Sequence, residues 1–192
     1  MQSQTKNQTL ATVLGHTTHV SPLLKKIEKL IGNENTASCL KQLAVNRGCR
    51  HYENTFTPPT NFPHAINTIS NEEAGIALCM GQLHYDPMNI RVGAELLSSK
   101  KCHPDKIIKL AIQERCKAVV GYIAKCGKKI EPENSTWQRI VTSLEPIPKT
   151  PEGTLPHWSR FVSQTGIAPV GNTKIHWLRP NPLYEQSRTH TI

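Results

Sequence analysis

Between Ser70 and Leu144 the apolar residues recur every three or four positions, and each run follows a residue suited to start a helix. Ser70, Asn71, Glu72, Glu73 has the S-x-x-E form, in which the serine oxygen accepts a first-turn amide and the glutamate reaches back to the cap amide. Ala74, Ile76, Ala77, Leu78 and Met80 follow before Gly81, which predicts a helix over about 71–80. Asp86 then Pro87 is a second start, since proline at the first helical position gives up an amide that had no partner. Ile90, Gly93, Ala94 and Leu97 share its buried face, and a glycine in that stripe predicts a close helix crossing.

His103, Pro104, Asp105 opens a third helix, with Ile107, Ile108, Ala111 and Ile112 as its apolar face. The periodicity lapses at 113–117 and resumes with Ala118, Val119, Tyr122, Ile123 and Cys126, stopping at Gly127. Two helices, 104–114 and 116–126, are therefore expected. Glu133, Asn134, Ser135 offers another cap, and Trp137, Ile140, Val141 and Leu144 form a last face before Pro146. Pro87 and Pro104 lie 17 residues apart, each with Ile at +3 and Ala at +7, a weak echo of a stacked-hairpin repeat.

Upstream, Ser21 and Pro22 open a basic amphipathic helix bearing Leu23, Leu24, Ile27, Leu30 and Ile31, closed by Gly32. Asn35 or Thr36 caps a second helix through Cys39, Leu40, Leu43 and Ala44, ending near Gly48. The expected fold is mainly α: a compact multi-helix bundle or short helical-hairpin stack with a small C-terminal β-hairpin. Its organisation reads as a mobile tail at 1–20, a helical hairpin at 21–48 and a Pro-rich linker at 49–69. The helical core at 70–145 follows, then a Pro-rich joint at 146–157, a β-hairpin at 158–179 and a tail at 180–192.

Composition changes this picture little: 37% of the 192 residues are hydrophobic and 5% aromatic, while 14 prolines and 11 glycines imply much irregular chain. No run approaches the roughly 18 apolar residues of a membrane span, so a soluble, cytoplasmic protein without membrane contact is expected. The six cysteines, Cys39, Cys49, Cys79, Cys102, Cys116 and Cys126, are widely spread, and free thiols acting as small hydrophobes are expected.

Charge is the most informative chemical feature. The formal net charge is +9, and residues 100–129 carry nine cations against Asp105 and Glu114. Lys100, Lys101, Lys106, Lys109, Lys117, Lys125, Lys128 and Lys129 are the candidate nucleic-acid-binding residues. Lys117, Gly121, Lys125 and Lys128 fall on one stripe, where a glycine would let a phosphate backbone approach. The competing expectation is a solvated lysine face. A helix-turn-helix over the same residues is disfavoured, because Arg115 stands where such turns commonly have glycine and Gly121 interrupts the would-be recognition helix.

Other chemistry finds little support. There is no C-x-x-C or H-x-x-x-H pair, so a metal site would have to be assembled from distant residues. Neither G-x-S-x-G nor H-E-x-x-H occurs, and a thiol and base made of Cys49 with His51 or His64 is the only nucleophile arrangement in view. The expectation is a non-enzymatic basic accessory protein contacting DNA or RNA backbone, with no cofactor and no small-molecule substrate. The alternative is a helical protein-protein interaction adaptor whose Trp158, Phe161 and Trp177 dock on a protein partner.

Overall fold

The computed structural model describes residues 21–49, 53–54, 56–83, 85–152, 154–155, 157–158, 163–164 and 175–176. Among these it is mainly helical, with seven α-helices. They are α1 (Pro22–Ile31), α2 (Thr36–Asn46), α3 (Asn71–Leu78), α4 (Pro87–Leu97), α5 (Pro104–Gln113), α6 (Lys117–Ile130) and α7 (Ser135–Leu144), with a 3-10 turn at His64–Thr68. No helix among the described residues is long and apolar enough to cross a membrane.

The start signals act as their chemistry requires. Ser70 forms the full capping box of α3: its oxygen accepts the Glu73 amide at 3.3 Å, and Glu73 Oε2 accepts the Ser70 amide at 2.9 Å. Asp86 caps α4 by accepting the Met88 amide at 2.8 Å, and Asn35, rather than Thr36, caps α2 through the Ser38 amide at 2.9 Å. Gly32 closes α1 with φ of 65°, a left-handed conformation that glycine takes without steric cost.

One hydrophobic core runs from Leu23 to Leu144, so α1 and α2 share it with the later helices. Neighbouring helices pair, α3 with α4 most extensively and α6 with α7, while α1, α3, α5 and α7 contact one another in turn and α2 rests on α4. The α3–α4 crossing is as close as Gly93 implies. A Cβ on Gly93 would stand 2.9 Å from the Gly75 carbonyl oxygen, and one on Gly75 would stand 3.0 Å from that of Gly93.

Several expectations are corrected. Helix α6 does not stop at Gly127 but runs on to Ile130, and the glycine serves packing instead of a cap, since Trp137 of α7 occupies the space a side chain at 127 would need. The turn between α5 and α6 is wider than the single residue the expected helices leave, spanning 114–116 with Arg115 at its centre at φ of 55°. Ile112 is not core: it is 56% exposed, whereas Ile107 and Ala111 are fully buried. The end of the linker is not simply extended, because Ile66 within the 3-10 turn and Ile69 just after it both sink fully into the core. The expected β-hairpin is not supported. Among the described residues only Ser163–Gln164 and Ile175–His176 pair, antiparallel, and a two-residue ladder is too short to make a stable hairpin. The rest of 158–179, with the segments 1–20 and 180–192, lies outside the described residues apart from Trp158.

Candidate nucleic-acid interface

The described lysines fall into two groups according to what lies beside them. Lys26, Lys41 and Lys106 face carboxylates. Lys26 reaches Glu73 at 2.7 Å and Lys41 reaches Asp86 at 3.3 Å, while Lys106 lies 3.8 Å from both Glu72 and Glu73 and donates to Ser70 Oγ at 2.8 Å. Lys106 therefore ties α5 to the start of α3 and stands apart from the other candidates. Glu72 also accepts the His103 amide at 3.0 Å, so α1, α3 and α5 meet at one polar seam. Burial alone would raise both carboxyls, but the hydrogen bonds and lysine charges outweigh it and hold Glu72 and Glu73 below the usual glutamate range.

Lys100, Lys101, Lys109, Lys117, Lys125 and Lys128 make no ion pair among the described residues. Lys100 and Lys101 are exposed in the turn before α5, and Lys109 is exposed on α5 three residues before the open Ile112. On α6, Lys125 and Lys129 are exposed and Lys128 half-buried, spaced so that all three share the last two turns. Lys117 is cut off from them. Between it and Lys125 lies Gly121, which is buried under Ile147: a Cβ there would meet Ile147 at 2.8 Å. The glycine admits the crossing chain, and a phosphate cannot approach there.

The segment that crosses at Ile147 continues along the fold. Tyr85 donates its hydroxyl hydrogen bond to the buried Thr154 carbonyl, and beyond it Trp158 returns to the end of α6. Lys129 Nζ stands 3.6 Å from the Trp158 ring centroid, a close cation–π contact. His157 is exposed beside it, its ring centroid 5.9 Å from that of Trp158 and tilted by 45°. Trp158 itself keeps 37% of its surface open. The end of α6 that carries Lys125, Lys128 and Lys129 thus meets an aromatic ring through Lys129, a contact that spacing alone did not disclose. Phe161 and Trp177 lie outside the described residues.

The alternative chemistries gain no geometry. All six cysteines are free and buried. Burial pushes the Cys102 and Cys116 thiols up to about 12 and Cys126 to about 11, and it raises Cys49 and Cys79 further. Thiols in that state are poor nucleophiles near neutral pH. His51 lies outside the described residues, and among those described no group of three His, Cys, Asp or Glu side chains is placed to hold a metal ion.

The turn between α5 and α6 has the left-handed residue a helix-turn-helix needs, in Arg115. The helix after it is not free to enter a groove, however, because residues 118–121 are all buried. The buried Glu114 in the same turn accepts Ser21 Oγ at 2.6 Å and the Leu23 amide at 3.3 Å, so the start of α1 is anchored there.

No family model matches the chain, and neither a curated protein nor a solved structure matches it.

Proposed function

We propose that this is a non-enzymatic basic protein that binds a nucleic-acid backbone, with the end of α6 as the centre of the contact. The observation that carries this reading is the contrast between paired and unpaired lysines. The cations of α1, α2 and early α5 that face carboxylates hold helices together, whereas Lys125 and Lys128 make no ion pair among the described residues and lie within one turn of each other. Cations without carboxylate partners can neutralise phosphates at no cost in broken ion pairs, and the released counterions favour association. Lys100, Lys101 and Lys109 add exposed positive charge on the preceding turn and helix.

The test is a salt titration of binding by the full chain. Changing Lys125 and Lys128 together to Gln is expected to weaken binding alike across sequences and to lower the slope of log affinity against log salt by roughly 1.4 to 1.8. Changing the exposed Lys25 and Lys29 of α1 to Gln removes the same charge elsewhere. Equal weakening by both pairs would mean a global charge effect and would defeat the α6 site. No affinity for any nucleic acid at low salt would leave the adaptor reading, with the open Ile112 and Trp158 as its contacts.

A further inference from the structure

At the end of α6 the cations do not stand alone. Trp158 is held against Lys129 at 3.6 Å and flanked by the exposed His157, and Lys129 shares the last two turns of α6 with Lys125 and Lys128. A duplex turns its phosphates outward and hides the faces of its bases within the stack, so it would use the lysines and ignore the rings. An unpaired base offers a face that an indole can stack on, and its neighbouring phosphates then fall within reach of cations beside the ring.

We infer that this surface selects single-stranded nucleic acid, with one base stacked on Trp158 and the flanking phosphates held by Lys125 and Lys128. The inference rests on the backbone-binding reading above and narrows it to a substrate class. Lys129 orders the indole through its contact with the ring, so little side-chain freedom is lost when a base arrives. Sequence preference is not expected, because every base presents a π-face.

The full chain is titrated with fluorescein-labelled oligo-uridylate, oligo-deoxythymidylate and a blunt duplex, each of about 12 nucleotides per strand, within the site size of such surfaces. At least one of the single strands should bind about tenfold or more tightly than the duplex and quench tryptophan emission, and the two arms show whether RNA, DNA or both are taken. Trp158→Ala should weaken single-strand binding by about tenfold while leaving duplex binding unchanged, and Trp158→Phe should retain most of the affinity while removing the quenching. Equal affinity for single strand and duplex, unmoved by Trp158→Ala, overturns the stacking inference and leaves backbone binding standing. If the alanine variant loses its fold, the phenylalanine variant decides: unchanged quenching in it overturns the inference. Failure of all three nucleic acids to bind defeats both readings.

Discussion

Trp137 fills the space that a side chain at Gly127 would need, for a Cβ on that glycine would stand 2.6 Å from two carbons of the indole. The tryptophan is 1% exposed and donates from Nε1 to Glu131 Oε2 at 3.2 Å, so neither ring nor helix has room to give. The pairing of α6 with α7 depends on this one missing methyl group.

Gly127→Ala should therefore destabilise the protein by about 1 to 3 kcal/mol, although alanine is the better helix former by about 1 kcal/mol. Chemical denaturation of the two proteins measures the difference. A more stable alanine variant would mean that α7 can move away from α6 without cost.

Two isoleucines on α5 give opposite expectations. Ile107 is fully buried, and Ile107→Ala should cost about 2 to 4 kcal/mol; Ile112 is 56% exposed, and Ile112→Ala should change stability by less than about 0.5 kcal/mol. Similar losses at both positions would show that Ile112 is covered in solution, which denaturation at several protein concentrations would trace to self-association.

Acid should loosen the seam where α1, α3 and α5 meet. Glu72 and Glu73 are held below their ordinary range, so the unfolded chain takes up protons on these carboxyls at higher pH than the folded one does. Their contribution is complete above the unfolded glutamate value of about 4.3 and is lost as pH falls through the lower folded values. Melting temperature should thus fall steadily below about pH 5. A variant with both Glu72→Gln and Glu73→Gln should be less stable at pH 7 and lose less between pH 5 and 3. An acid limb of unchanged steepness in that variant would assign the loss to other carboxylates.

The helix starts were legible because a cap is a local event: Ser70 and Glu73, or Asp86 and Pro87, meet within one turn and need nothing from the rest of the chain. The close crossing at Gly93 was legible for a related reason, since glycine in an apolar helical stripe has few other uses. Gly121 and Gly127 misled because the same residue that ends a helix or admits a ligand also admits Ile147 or Trp137. Ile112 fits the helical period, but the period does not say how wide a neighbour's cover extends. The grouping of Trp158 with Lys129 joins residues 29 positions apart, across α7 and then the proline-rich joint, where no periodic signal exists. Lys106 gave no warning of its ion pairs, which depend on how α5 lies against α3.

Glu114 caps a helix that lies 91 residues away from it in the chain, counted to the Leu23 amide it accepts. That bond ties the opening turn of α1 to the middle of the fold, where helix ends ordinarily fray first. The Leu23 amide should accordingly exchange with deuterated water only in the rare openings that disrupt the α5–α6 turn as well, and much more slowly than its place at the first turn of a helix would suggest. The protection of one terminal amide would in this way report the cooperativity of the whole helical assembly.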